Sequence, residues 1–264
     1  MSPAERRLLR TTFDAVAERY DAVRPRYPDA LVAELVELAG IGPGSRIVEI
    51  GSGTGQLTVP LAATGADVTA VELGPQLAAV ARRNLGGFPR VRVVQDAFER
   101  VDLPDGAFDL VVAATSFHWI DEGARFAKPA RILRPGGSLA IVETHHISAG
   151  GSADFFAASQ RCYEAWDPDT PPDLPRTTVA GTPVERPDLV SPLFTAPTLR
   201  RHLQDVTYET DEYLQLLCTY SGHLALPDHL RAGLLNCLAD LIDGQHGGRV
   251  TKQYLFELRV AQRL

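Results

Sequence analysis

The sequence predicts an α/β fold, doubly wound, with a mostly parallel sheet and helices on both faces. Apolar runs of strand length alternate with segments of helical spacing over most of the chain. The first run, RIVEI from Arg46, leads directly into glycines at alternate positions, Gly51, Gly53 and Gly55. A second run ends in an acid, Glu72, about twenty residues beyond that turn, the spacing at which such folds hold a ribose.

From Ala4 to Tyr20, Leu8, Leu9, Phe13, Val16 and Tyr20 recur at helical spacing, so an amphipathic N-terminal segment is expected. The phrase YDAVRPRYP follows, and Pro25 and Pro28 turn it into an extended corner that gathers Tyr20, Arg24, Arg26 and Tyr27. Asp29 to Ala39 reads as a helix closed by Gly40 as a left-handed cap. After the glycine turn, Gln56 to Ala63 continues as a helix, and Asp67 to Val71 is the second strand. Gly74 and Pro75 open a helix that runs to Asn84, with proline in the first turn where its missing N–H is harmless.

Val91 to Gln95, Phe108 to Ala113 and Ser138 to Val142 are the third to fifth strands. Ala124 to Leu133 has helical spacing, and RPGG reads as a reverse turn. Gly150 to Pro197 holds a helix from Ala153 to Trp166 and a proline-rich run, DPDTPPDLP, that supports no regular structure; this region is either a cap on an acceptor pocket or a surface insertion. Thr198 to Tyr208 and Tyr254 to Val260 complete seven strands, with helices expected at Asp211 to Tyr220 and Pro227 to Ile242.

Composition narrows the function. The 264 residues are 45% hydrophobic and 22% charged, ordinary for one large globular domain or a domain with an insertion. The formal net charge is −7 with no long basic block, which argues against a nucleic-acid partner. No apolar run reaches membrane-spanning length and no signal-peptide core follows Met1, so a cytoplasmic protein without a membrane partner is expected. Cys162, Cys218 and Cys237 are scattered and odd in number, which predicts buried thiols rather than a disulfide or zinc site.

The glycine spacing is G-x-G-x-G, and Gln56 stands where a dinucleotide-binding turn carries its third glycine. Here the chain resembles the class I S-adenosyl-L-methionine (SAM)-dependent methyltransferases, whose first motif E/D-x-G-x-G-x-G is matched by Glu49, Gly51, Gly53 and Gly55. Three further phrases extend the likeness to the methyltransferase type 11 domain and the trans-aconitate methyltransferase-like subgroup. They are F-x-x-x-A-x-x-Y-D-x-x-R-P-x-Y-P from Phe13, His118-Trp119 after the fourth strand, and ILRPGGSL from Ile132.

The resemblance implies a Rossmann-like seven-stranded sheet whose final strand inserts antiparallel. It divides the chain into an N-terminal helical lid (1–39), a SAM-binding core (40–148), the insertion or cap (149–197) and a C-terminal completion of the sheet (198–264). Its cofactor site comprises Tyr20, Arg26, Glu49, Gly51, Ser52, Gly53, Gly55, Glu72, Leu73, Asp96, Ala97, Phe98 and Thr115. Glu49 points a carboxylate to the crevice for a ligand ammonium, and Glu72 accepts both ribose hydroxyls. Asp96 and the Ala97 N–H meet the adenine, and Phe98 either covers its face or fills the core. Tyr20 either faces the sulfonium or staples the N-terminal helix to the sheet, while Arg26 or Arg24 partners a carboxylate.

The rule that ligands sit beyond the carboxyl ends of parallel strands puts Thr115, Ser116, His118 and Trp119 beside the crevice, with Tyr27, His145 and His146 completing the acceptor pocket. Adjacent histidines on an extended backbone point oppositely, so at most one of the last two faces the site. His118 is the candidate general base, or else half of a packing pair with Trp119. The fourth strand ends in Ala113, Ala114, Thr115 and Ser116 without a carboxylate, so no catalytic metal is expected. The acceptor expected is a small molecule, methylated on a carboxylate or hydroxyl oxygen by a monomer or homodimer; the alternative is a non-catalytic SAM-binding or partner-binding protein of the same fold.

Overall fold

The computed structural model describes residues 13–171 and 175–264, so the spacing read at Leu8 and Leu9 and part of the proline-rich run lie outside the described residues. Seven strands form one sheet in the order β3-β2-β1-β4-β5-β7-β6. In chain order the elements are α1 (Ala17–Val23), α2 (Asp29–Ala39), β1 (Arg46–Ile50), α3 (Thr58–Ala63), β2 (Asp67–Glu72), α4 (Pro75–Asn84), β3 (Val91–Gln95) and β4 (Phe108–Ala114). They continue as α5 (Glu122–Arg125), α6 (Ala127–Ile132), β5 (Leu133–Ile147), α7 (Ala153–Trp166), β6 (Thr198–Glu209), α8 (Thr210–Leu217), α9 (Ser221–Ala225), α10 (Asp228–Gln245) and β7 (Arg249–Gln262). The first five strands run parallel, and β7 lies antiparallel to both β5 and β6.

The period of two along each strand sorts the core into two layers. Ile47, Leu110, Val112, Ala140 and Val142 face α2, α3, α7, α8 and α10, while Val48, Val111, Ala113, Leu139 and Ile141 pack against Phe98, Phe117, Ile132, Leu189 and Phe194. Both faces of the central strands are therefore buried, which is why they read as continuous apolar runs.

Three elements differ from expectation for local reasons. The helix read over 124–133 breaks at Phe126 and restarts at Ala127, which brings Pro129 into a first turn where no N–H is needed. RPGG is a bulge inside β5: Phe108 pairs with Leu133 but Leu110 pairs with Ser138, so the extra residues loop out and the strand runs on to Ile147. The helix read to Tyr220 stops at Leu217, and Tyr220 takes an extended backbone before α9 begins.

Cys162 and Cys237 form a disulfide that ties α7 to α10 across 75 residues, with the Cα atoms 5.8 Å apart. The expectation of three thiols is corrected. Packing of two distant helices creates the pair, and sequence spacing carries no trace of it. Thiol titration of the unfolded, unreduced chain should count only Cys218. Reduction should lower stability by about 2–4 kcal/mol in urea melts, and a count of three thiols would contradict the bridge.

On the face away from α2 and α7, β5, β6 and β7 carry a buried ion network. Arg259 Nη1 and Arg201 Nε donate to the two oxygens of Glu257 at 2.8 and 2.7 Å, and Arg186 Nη1 donates to Glu143 at 2.6 Å. Arg259 and Arg201 also donate to the carbonyls of Val184 and Thr182, which fastens that part of the 149–197 region to the sheet. No helix among the described residues is long and apolar enough to cross a membrane.

Candidate active site

The turn after β1 is shaped by positions only glycine tolerates. Gly51 has φ +68°, and a Cβ there would lie 2.7 Å from the Ser116 side chain. Gly53 has φ +57°, and its N–H donates to Glu72 Oε2 at 2.8 Å, while the Gly74 N–H donates to Glu72 Oε1 at 2.8 Å. Glu72 thus holds the glycine turn and the start of α4 together. Burial pushes its pKa up and the two amides work against that, with a net rise. A carboxylate has about four acceptor sites, so two remain for a ribose diol.

A cavity of about 480 Å³ opens at this point. It is lined by Gly51, Gly53, Glu72, Leu73, Asp96, Ala97 and Phe98 from the ends of β1, β2 and β3, by Tyr20 and Arg24 from α1 and its exit, by Thr115, Ser116, His118 and Trp119 beyond β4, and by His146, Tyr220 and His223. Asp96 Oδ1 accepts its neighbour's Ala97 N–H at 2.7 Å and the Arg100 guanidinium, and these bonds hold its pKa below the usual value. The Ala97 N–H is thus turned onto Asp96 rather than out toward a ring nitrogen. Gly55, with φ +90°, packs on Leu85 and serves the turn from behind.

Several expected site residues are placed elsewhere. Glu49 shares the face of Ile47 by strand alternation, so its carboxylate lies beneath α3, where the Thr58 hydroxyl donates to it at 2.6 Å. Burial, with the charge of Glu72 added, raises its pKa to about 8 despite the Thr58 bond. It does not line the cavity. Nor does Ser52, which is buried with its Oγ unpartnered. Arg26 is exposed and turns to Asp21 at 3.6 Å, whereas Arg24 enters the cavity. Arg24 is fixed by Thr219, whose hydroxyl and carbonyl it meets at 2.8 and 2.7 Å, and lies over the Tyr20 and Tyr220 rings at 4.9 and 4.4 Å. Of the two arginines weighed for a carboxylate, Arg24 is the one that lines the cavity.

Tyr27 stands behind the wall: its hydroxyl meets Thr115 Oγ1 at 3.4 Å and its ring packs edge-on to Phe256. Thr115 has φ +57°, a strained conformation for a β-branched residue, and is held by Thr144 Oγ1 at 3.1 Å as well. His145 and His146 point oppositely. His145 Nε2 lies 3.2 Å from Glu257 in the ion network, so its placement in the acceptor pocket is corrected. Glu143, His145 and Glu257 also approach as metal ligands do, but the arginines already balance both carboxylates.

His146 sits between the rings of Tyr220 and Tyr254 at 5.1 and 5.4 Å. Burial first, then the charges of Lys252 and Arg24, hold its pKa well below the ordinary value. His118 is exposed on the turn Phe117–Trp119, its ring 4.4 Å from the indole of Trp119. Sequence reasoning missed Tyr220, His223, Tyr163 and Lys252. Tyr163 on α7 meets His223 Nε2 at 3.1 Å, and burial with the Lys252 charge lowers His223 to about 4. The helix break at Tyr220-Ser221-Gly222 was the one available signal.

Residues 48–141 match the family described as a methyltransferase domain. An uncharacterized methyltransferase of Mycobacterium tuberculosis is 34% identical over 137 residues, 52% of this chain and 54% of that one. A malonyl-[acyl-carrier protein] O-methyltransferase of Geobacter sulfurreducens is 38% identical over 144 residues, 52% of this chain and 53% of that one. The chain spans about half the length of these curated relatives. Among solved structures, a proposed type II methyltransferase of Anaeromyxobacter dehalogenans superposes with TM-score 0.64 at 25% identity, over 90% of this chain and 97% of that one. A phosphoethanolamine N-methyltransferase of Haemonchus contortus, solved with S-adenosylhomocysteine, shares the fold at TM-score 0.51 and 15% identity, over 95% of this chain and 57% of that one.

The glycine cradle and the spare acceptor sites of Glu72 fit a nucleoside, and Arg24 fits an amino-acid carboxylate. Residues 48–141 therefore carry a methyltransferase domain, and S-adenosyl-L-methionine is the cofactor that this fold and cavity fit.

Proposed function

We propose that this protein transfers a methyl group from SAM to an oxygen of a small-molecule acceptor. The observation that carries the reading is the continuity of one cavity. The cavity that Glu72, Tyr20 and Arg24 line is lined as well by His146, Tyr220 and His223, which nucleoside recognition does not use. Room for two reactants in line is what a displacement requires.

SAM supplies an activated methyl on a sulfonium. The protein's residues align and enclose: Glu72 grips the ribose, Arg24 the carboxylate of the methionine part, and the Tyr20 ring offers its face to positive charge. Phe13 packs edge-on to Tyr20 and Trp119 at 6.3 and 6.0 Å and helps exclude water from the cavity. His146 and His223 are held neutral, so they orient the acceptor as hydrogen-bonding groups rather than as ions.

A carboxylate acceptor needs no base; a hydroxyl acceptor draws on His118, which lines the same cavity. The O-methyltransferase among the relatives supports oxygen as the acceptor atom. A panel of small acids and alcohols, scored by release of S-adenosylhomocysteine, should yield turnover with at least one acid. Binding of the cofactor without turnover on any member would favour a non-catalytic SAM-binding protein.

A further inference from the structure

Three cations are buried among the described residues, and two of them have polar partners. Arg259, 4% exposed, is matched by Glu257 and Glu143; Lys128, 9% exposed, donates to the carbonyls of Phe98, Glu99 and Val101. Lys252 on β7 is 7% exposed, and its ammonium forms no hydrogen bond or ion pair among the described residues. Its ammonium is surrounded by the rings of Phe156, Tyr220 and Tyr254 at 5.5, 5.5 and 5.8 Å. Arg24, held by the Thr219 hydroxyl and carbonyl, lies over the same Tyr220 ring at 4.4 Å.

Ring faces return only part of the hydration a cation loses on burial, and two cations about one ring repel each other. The ionisable groups packed around Lys252 do not relieve this. Arg24 is cationic, His146 and His223 are held neutral, and Tyr163, Tyr220 and Tyr254 are phenols kept protonated by burial. The one acid that bears on the cluster, Asp167, acts on Tyr163 and His223 and makes no ion pair with Lys252. Four residues of this cluster, Arg24, His146, Tyr220 and His223, line the cavity.

Resting on the methyltransferase reading, we propose that Lys252 is a specificity-determining positioning residue: through Tyr220 and His146 it makes the part of the cavity that they line an oxyanion site, selecting acceptors that carry a carboxylate or phosphate. The positive field compensates the desolvation of an anion in that pocket, and the anion in turn supplies the counter-charge the fold omits. A neutral acceptor of equal size leaves the cation uncompensated and is disfavoured.

The charge is conditional on pH. Burial first, and Arg24 next, lower the pKa of Lys252 to about 8, so the ammonium is present below that pH and lost above it. Anion binding should weaken by about tenfold between pH 7 and pH 9, the factor by which the charged fraction of such a group falls. Occupation by an anion favours the ammonium and should draw in a proton near pH 8, seen as a dependence of the binding heat on buffer ionisation enthalpy.

The test uses the full chain saturated with S-adenosylhomocysteine and titrated calorimetrically with short mono- and dicarboxylates, with phosphate monoesters and with the uncharged amides of the acids. Wild type is expected to bind one of the anion classes at least tenfold tighter than the amides, and which class binds distinguishes carboxylate from phosphate recognition. Lys252→Met should keep S-adenosylhomocysteine affinity and thermal stability but lose the anion preference; Lys252→Arg should restore the preference and remove its decline above pH 8. A Lys252→Met protein that binds S-adenosylhomocysteine and still prefers anions as wild type does, or a wild-type protein that binds S-adenosylhomocysteine but takes up anions no better than amides, including not at all, overturns the proposal. Absence of S-adenosylhomocysteine binding to wild type fails the underlying reading instead and takes the proposal with it.

Discussion

Glu72→Ala is expected to weaken S-adenosylhomocysteine binding by about a hundredfold, roughly 2.7 kcal/mol, in calorimetric titration. Two losses combine. The ribose diol forfeits a bidentate acceptor, and the amides of Gly53 and Gly74, which now donate to Glu72 at 2.8 Å each, are left facing a void. Without that carboxylate nothing ties the glycine turn to the start of α4, and the cradle must be rebuilt on binding. Glu72→Gln keeps the size but offers an NH₂ donor to one of two donors, so an intermediate loss is expected. Unchanged affinity in both variants would remove Glu72 from the cofactor site.

Glu257→Ala is expected to produce the largest loss of folding stability, about 3–5 kcal/mol by urea denaturation at neutral pH. Glu257 is fully buried and receives hydrogen bonds from Arg201 and Arg259, the latter 4% exposed. Its removal strands buried guanidinium groups that Glu143 alone must then balance. Burial pushes the Glu257 pKa up, but the bonds and charges of Arg259 and Arg201 outweigh it, and the carboxyl is held below the ordinary value. A depressed folded-state pKa gives a contribution that is present above the unfolded value and lost as pH falls through the folded one. Wild type should therefore lose stability on acidification over a range where Glu257→Ala does not. A loss under about 1 kcal/mol would show that the network is solvated rather than buried.

That Gly51, Gly53, Glu72 and Asp96 share one crevice was legible because the geometry there is local. A strand, a tight turn and a helix start bring Gly51, Gly53 and Glu72 to the crevice by short-range rules, and Asp96 follows the next strand by the same rule. Glu49 was misread although its environment was also determined locally: strand alternation puts it on the face of Ile47, under α3. Alternation did separate His145 from His146, but which of them faced the cavity depended on Glu257 and on Tyr220, both distant in sequence.

The surroundings of Tyr220 and His146 were not legible, because they are assembled from far apart. Lys252 on β7, Tyr220 before α9, Tyr163 on α7 and Arg24 after α1 meet only once the antiparallel β7 is inserted beside β5. The same long-range packing brings Cys162 to Cys237 and chooses Arg24 over Arg26, since only Arg24 finds two rings and a threonine to rest on. Local pattern has no access to such choices.

Calorimetric titration of the wild-type chain with S-adenosylhomocysteine measures the central point most directly. One saturable site per chain in the micromolar range is expected, with Glu72→Ala shifting it as above. No binding heat from a folded, monodisperse protein at millimolar ligand would mean that the crevice beyond β1 and β2 holds something other than an adenosyl cofactor.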